Sequence, residues 1–491
     1  MSSPLFRRKS ATAALAEVEA SGAGLRRSLG ATDLALLGIG AIVGAGIFSS
    51  TGQMAAGSAD HPGAGPALIV SYLLTAIACG FSALCYAEIA AMVPVAGSAY
   101  TFAYVALGEL VAWIIGWDLV IEYAVGNIYV AQSWADYFRS FLRGTLGVDF
   151  PAWMAVDIQT AAATPEIAAQ APHLGDWVIA FNLPAALITL LLTGLLVLGI
   201  RESARANALL VAFKVLLVLV FVGAGAAFVE AENYVPFAPN GWRGIWAGAS
   251  LAFFSYIGFD AVSTAAEETR DPQRNLPRGI IASLIVCTIL YVATAAVMTG
   301  LVPATELDTG DPLAHALRGA GLEGLSVLMA FGAVVAVTAV LLVFQLGQTR
   351  IFMAMARDGL LPKAFGRVHP RLRTPVWGTV VTGLFVAAAP SFVTPSQALE
   401  LTSIGTLFAF LVVAAGLIAL RIREPNRPRP FRCPGYPLVP LLAMASCLGL
   451  MLGLPAMNWL RFGVWLLVGF VLYWLYGRRK SRLAMTAPVS E

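Results

Sequence analysis

Charge is what this chain of 491 residues has least of: 12% of it is Asp, Glu, Lys or Arg, against 58% hydrophobic residues. With a mean hydropathy of +0.78, it cannot wrap an ordinary soluble core in polar surface, so lipid must serve as part of its solvent. Lysine is scarcer still, at positions Lys9, Lys214, Lys363 and Lys480 only. A net charge of +3, with the basic residues in short runs between apolar stretches, gives no face for nucleic acid. The histidines (His61, His173, His315 and His369) fall outside the apolar stretches, and no His-Glu-x-x-His pattern occurs. Metal hydrolysis and Ser-His chemistry are therefore unsupported. No Lys follows a Gly-x-x-x-x-Gly pattern, which excludes a nucleotide-driven pump of the usual kind. Cys79, Cys85, Cys287 and Cys447 lie in apolar stretches and Cys433 in a basic loop, without the spacing of a zinc site or a disulfide framework. Arg7-Arg8-Lys9, the Ala-Leu-Ala-Glu-Val-Glu run and Arg26-Arg27 interrupt any signal-peptide core, so the first apolar stretch is expected to insert the chain. The expectation is a protein that is no enzyme and has no cofactor.

What the chain has in abundance is hydrophobic runs of membrane length. Twelve can be read, at about 32–57, 66–93, 100–137, 183–200, 206–229, 242–265, 279–302, 324–349, 375–393, 399–420, 436–456 and 459–477. With the N-terminus inside, 25 of the 31 Lys and Arg residues fall on the cytoplasmic side, five on the other, and Lys214 within a stretch. Both termini are thus expected in the cytoplasm of a cell-membrane protein. The Pro-containing segment 144–181 reads as an extracellular loop.

Two of the runs are interrupted by small residues at mid-depth: Gly40-Ala-Ile-Val-Gly44-Ala-Gly46-Ile-Phe48 in the first and Phe254-Ser-Tyr-Ile-Gly258-Phe-Asp260 in the sixth. Freed backbone at bilayer depth is costly unless it lines a cavity and grips a ligand. Five runs separate the interruptions, and an odd count turns the second half upside down. The expected fold class is an all-α membrane protein of twelve helices, with a 5+5 inverted repeat, broken first and sixth helices, and two further helices at the C-terminus. Its divisions are 1–31 (cytoplasmic), 32–230 (first repeat), 231–422 (second repeat), 423–478 (last two helices) and 479–491 (tail). At the first break, the N–H groups of Ala45, Gly46 and Ile47 suit a carboxylate, while Gly44 lets the backbone open. The carbonyls of Ile42 and Val43, with those of Phe254, Ser255 and Ile257, suit an ammonium; Tyr256 lies in the same break. Together these groups describe an α-amino acid. Gly40-x-x-x-Gly44 also fits simple close helix packing.

Four segments carry a resemblance: 40–48, Trp-Asp-Leu-Val-Ile-Glu-Tyr at 117–123, Phe-Phe-Ser-Tyr-Ile-Gly-Phe-Asp-Ala-Val-Ser-Thr at 253–264, and Gly-Gln-Thr-Arg-Ile-Phe-Met-Ala-Met-Ala-Arg-Asp-Gly-Leu-Leu-Pro at 347–362. They resemble the amino acid-polyamine-organocation superfamily, in its cationic amino acid transporter branch, over nearly the whole chain. The resemblance implies the inverted-repeat fold, an L-amino acid substrate and its capture by backbone at the two breaks.

Lys214 is the one lysine inside a run, where an unpaired cation costs several kcal/mol unless it is paired, hydrated or deprotonated. The resemblance associates a lysine at this place with proton coupling. The alternative is a lysine snorkelling from about 13 Å of helix beyond Arg205. Asp118 and Glu122, at i and i+4, share a helix face turned toward water or the cavity; Glu122 is a candidate for proton exchange or a structural acid. Asp260 is expected to stabilise amides freed at the second break, and Glu88 to pack or gate. Phe344, by resemblance, shortens the side-chain pocket, or else packs in the core or against lipid. The expected function is proton-coupled symport of a small or medium neutral amino acid such as alanine. A cationic carrier or exchanger, and a non-transporting sensor, stay open. The expected partners are the L-amino acid, the proton as coupling ion and the bilayer, with a small accessory membrane subunit left open.

Overall fold

The computed structural model describes residues 7–10, 29–58, 61–94, 98–199 and 204–483; Arg26, Arg27 and Arg201, counted in the charge asymmetry, lie outside them. Helix α1 (Ala31–Ile42) starts where Asp33 Oδ2 accepts the Gly30 amide at 2.8 Å. It ends because Val43 is extended (φ −74°, ψ 100°) and Gly44 is extended as well (φ −162°, ψ −144°). The chain resumes as α2 (Ala45–Phe48) and α3 (Ser50–Ala56), bent by 47° from α1. Next come α4 (Leu68–Met92), α5 (Ser98–Ala106) and α6 (Glu109–Val120), which continues through a wide turn at Ile121–Val125 into α7 (Gly126–Leu146). The expected single run at 100–137 is thus corrected. Gly108, at φ +113°, separates α5 from a helix that extends nine residues beyond 137 to Leu146.

Segment 144–181 carries two short helices (Ile158–Ala163 and Pro165–Gln170) and a hairpin pairing His173–Leu174 with Trp177–Val178. Helix α8 (Leu183–Leu198) is capped by Asn182, which accepts from the Ala185 amide, and stops at Gly199 in the left-handed region. Then follow α9 (Ala204–Gly225) and α10 (Gly241–Ala252), the latter ending in a tight turn at Phe253–Tyr256. The longer helices that follow are α11 (Pro272–Leu301), α12 (Pro312–Gly319), α13 (Glu323–Arg357), α14 (Val376–Ala388), α15 (Pro395–Arg423), α16 (Leu438–Leu452) and α17 (Ala456–Leu472), with single helical turns at Ala261–Thr264, Lys363–Gly366 and Arg478–Lys480.

Among the described residues, eight helices are long and apolar enough to cross a bilayer, the bent α1–α3 makes nine, and three shorter apolar helices accompany them. The chain is an all-α, multi-pass membrane protein. Helix α11 packs on both α1 and α4, and α13 packs on α7. Peripheral helices present bare leucines outward, among them Leu209, Leu216 and Leu219 on α9 and Leu460 and Leu467 on α17. In lipid these cost nothing, because hydrocarbon solvates them as well as a core would.

Candidate functional site

The two interruptions meet. A Cβ on Gly46 would stand 2.5 Å from the Cα of Ser255, and one on Gly258 would stand 2.9 Å from the backbone carbon of Ala41. Gly258 is also at φ +119°, so glycine is required there twice over. Ser255 Oγ donates to the Gly46 carbonyl at 3.0 Å, and Ser50 Oγ donates to the same carbonyl at 2.6 Å. All the predicted ligand residues are buried: Ile42, Val43, Ala45, Ile47, Phe254, Ser255, Tyr256, Ile257 and Phe344 each have 4% exposure or less.

The break beyond α1 has two kinds of free group. The amides of Ala45 and Gly46 donate to no backbone carbonyl among the described residues, as expected at the start of a helix without a side-chain cap. Ile47 is a correction: its amide donates to Gly44 at 3.0 Å, so two amides are open rather than three. The carbonyls need a larger correction. That of Val43 accepts from Lys214 Nζ at 3.2 Å, and that of Gly40 accepts from the same nitrogen at 2.9 Å. Those of Ile42 and Ser255 both face the hydroxyl of Tyr291, at 2.8 and 2.7 Å. The Phe254 carbonyl accepts the Ile257 amide at 3.2 Å. Neighbouring side chains thus already occupy most of the acceptors that sequence reasoning left open, because unpaired carbonyls at this depth are too costly to leave bare.

Lys214 does not snorkel. It is 1% exposed and reaches from α9 into the end of α1. Tyr256 points away from the break, its hydroxyl donating to the Tyr72 carbonyl at 3.3 Å and its ring lying against Tyr72 and Tyr291. Phe254 packs edge-on against Tyr129 at 5.1 Å. Phe344 is not at the lipid face. It packs on Tyr123 at 5.7 Å, and a Cβ on Gly126 would meet it at 3.2 Å. One turn earlier on α13, Val340 stands so close to Gly44 that a Cβ there would lie 2.5 Å away, which puts Phe344 beside the break.

Of the acidic residues, Asp118 and Glu122 depart from expectation. Glu122 lies in the wide turn Ile121–Val125, and both it and Asp118 are 1% exposed with no hydrogen-bond partner on either carboxylate oxygen among the described residues. They face α15 rather than water: Glu122 lies beside Thr406, and a Cβ on Gly405 would meet Asp118 at 2.9 Å. A turn of this kind inserts one residue into the helix and marks a site where the chain departs from regular packing. Asp260 accepts from the hydroxyls of Ser98 (2.9 Å) and Tyr123 (3.3 Å), joining the second break to α5 and the third run, and its carboxylate also faces the backbone amides of Gly258 and Asp260 at the break, as expected. Glu88 is fully buried, accepts from Arg421 (2.9 and 2.5 Å) and from the Cys433 amide (2.6 Å), and forms an ion pair with Arg429 (3.2 Å), a packing role. Among the described residues no three His, Cys, Asp or Glu gather as a metal ion would need.

The residues missed by sequence reasoning are Tyr291, Val340, Ser50 and Tyr123. Nothing in a single apolar run distinguishes a tyrosine that meets two carbonyls from one that fills a core. On the far side of the break, the Ser49 and Ser133 hydroxyls lie 2.5 Å apart, and Tyr137 donates to the Phe48 carbonyl, anchoring α2 to α7.

The arrangement offers two amides to an anion and a cluster of carbonyls, held by one amine and one phenol, to a cation. A sequence profile described as amino acid permease matches residues 29–476. The chain is 45% identical over 484 residues to a branched-chain amino acid permease of Bacillus subtilis (strain 168), covering 98% of this chain and 100% of that one. It is 41% identical over 481 residues to a methylthioribose transporter of the same organism, covering 98% and 99%. With a chloroplastic cationic amino acid transporter of Arabidopsis thaliana it shares 38% over 407 residues, 82% of this chain and 68% of that one.

Proposed function

The chain belongs to the amino acid permease family, and from that premise we propose that it moves a small or medium neutral L-amino acid together with a proton across the cell membrane by alternating access. The observation that carries this reading is Lys214, whose amine on α9 donates to the Gly40 and Val43 carbonyls at the end of α1. Hydrogen bonds from an ammonium are roughly twice as strong as those from a neutral amine. Losing the proton therefore loosens the hold of α9 on the break, and regaining it restores the hold. Because the same break offers the Ala45 and Gly46 amides to the substrate carboxylate, the state of the amine and the occupancy of the site bias one another.

The proposed frame is twelve crossings with both termini inside, the first five helices inverted in the second five, on the divisions given above. It is supported by helices at every one of the twelve apolar runs, by the contact between the two breaks, and by the imbalance of Lys and Arg. The substrate ammonium would use the carbonyls of Ile42, Ser255 and Ile257, and Phe344 would limit the side chain. A relative named for branched-chain amino acids supports an apolar side chain, and the cationic and methylthioribose relatives define the rivals. Glu122, whose carboxylate lies beside Thr406 and near Asp118 and Asp260, is the second candidate for proton exchange.

The test is uptake of labelled alanine into sodium-free liposomes, with and without an inward proton gradient, in competition with leucine, arginine and methylthioribose. Gradient-dependent uptake that leucine inhibits and arginine does not supports the reading. Uptake indifferent to the gradient and blocked by arginine favours a cationic carrier or exchanger, and transport of methylthioribose alone removes the amino acid assignment. Binding without uptake makes the protein a sensor.

A further inference from the structure

The carbonyls of Ile42 and Ser255, one from each break, meet at a single phenol. Tyr291 Oη lies 2.8 Å from the first and 2.7 Å from the second, and neither carbonyl accepts any other hydrogen bond among the described residues. A phenol has one O–H hydrogen. It serves one carbonyl at a time, and the other is left facing an oxygen lone pair at hydrogen-bond distance. The junction is one donor short.

Neither side can move to relieve this. The Tyr291 ring is fully buried and lies 5.4 Å from the ring of Tyr72 and 5.3 Å from that of Tyr256. Ser255 is fixed by its contact with Gly46, and Ile42 ends a helix whose last turn Lys214 holds. Only the hydroxyl hydrogen is free to rotate between the carbonyls. An ammonium, with three donors and no acceptor, is the chemistry that completes such a junction.

We infer that Tyr291 is a built-in surrogate for the substrate amine: its hydroxyl supplies in the empty carrier part of what the ammonium supplies in the loaded one. This rests on the function proposed above. In the wild type the amine gains little at the carbonyl the phenol already serves, which keeps the affinity low enough for release. Tyr291→Phe keeps the ring and its packing but leaves both buried carbonyls bare until substrate arrives. The empty carrier is then less stable and the loaded one is not, so the variant binds amino acids more tightly. A tightening of about five- to tenfold corresponds to the net worth of one hydrogen bond. A residue that merely propped the junction would weaken binding when altered.

The experiment compares the purified wild type, Tyr291→Phe and Tyr234→Phe. Tyr234→Phe removes a phenol-to-carbonyl bond to Ala296 (2.6 Å) on the same helix α11, away from the breaks. Kd is measured for L-alanine and L-leucine and for the matching acids without an amine, propionate and 4-methylpentanoate, and the empty proteins are melted. Expected for Tyr291→Phe are a lower melting temperature when empty, recovery with amino acid, and a Kd about five- to tenfold lower for the amino acids but not for the acids. Tyr234→Phe should melt lower with an unchanged Kd. Equal or weaker amino acid binding by Tyr291→Phe, or equal tightening for the acids, overturns the surrogate role while leaving the transport reading intact. Failure of the wild type to bind either amino acid overturns both.

Discussion

A methyl group at Gly46 would drive the two breaks apart. A Cβ there would lie 2.5 Å from Ser255 Cα, 2.9 Å from Ser255 Cβ and 3.0 Å from Oγ, whereas ordinary contact begins at 3.4 Å. The nearest atom is backbone, so no rotamer change relieves the clash, and the breaks must part by about 0.9 Å at that point at a cost of about 1–3 kcal/mol. The same shift would lengthen the bond from Ser255 Oγ to the Gly46 carbonyl and displace the open amides from the Ile42 and Ser255 carbonyls. A misplacement of about 1 Å in a group that must meet its ligand in fixed geometry can cost about a hundredfold in rate. Gly46→Ala should therefore lower initial alanine uptake by about ten- to a hundredfold, per mole of reconstituted protein, with only modest loss of thermal stability. Gly80→Ala in α4 is the internal control, because a Cβ there meets nothing within 4 Å. An alanine in an unobstructed helix interior is worth about 0.5–1 kcal/mol over glycine, so this variant should transport normally and melt no lower. Wild-type uptake by Gly46→Ala, or an equal loss in both variants, would refute the claim that the breaks are held in register by this contact.

Lys214→Ala should abolish accumulation driven by a proton gradient, because it removes the amine that holds the Gly40 and Val43 carbonyls; uptake at the normal rate in gradient-loaded liposomes would remove the coupling role. Phe344→Ser should broaden tolerance toward arginine, since it deletes the ring that packs on Tyr123 beside the first break; unchanged competition by arginine would take Phe344 out of the pocket. Glu88→Gln should cost about 1.5–3 kcal/mol, because it removes the fully buried charge with which the partly buried Arg421 and Arg429 guanidiniums pair. The readout is thermal melting in detergent, and a shift no larger than that of a surface substitution would show that the network is not held as described.

The parts of the candidate site legible in sequence were those with a local cause. Gly44, Gly46 and Gly258 announced broken helices because glycine is the residue that leaves helical geometry freely, and Lys214 stood out because a cation in an apolar run has no solvent. The run at 100–137 looked continuous because Gly108, which divides it, is one glycine among apolar neighbours. The wide turn around Glu122 was illegible for a different reason: its residues have ordinary helix preferences, and the extra residue is tolerated only because packing against α13 and α15 accommodates it.

Composition and the period of the apolar runs by themselves determined that this chain lives in a bilayer, that it is helical, and where its two helices break, since each follows from the solvation of side chains and backbone over a few neighbouring residues. Only the tertiary structure decided who occupies the carbonyls at the breaks. Lys214 comes to Gly40 and Val43 from 171 or more residues away, and Tyr291 joins Ile42 to Ser255 across 249 and 36 residues. A freed backbone group states only that it needs a partner. Which side chain meets that need depends on the packing of α1, α9 and α11 against one another, and that is not encoded in any one segment.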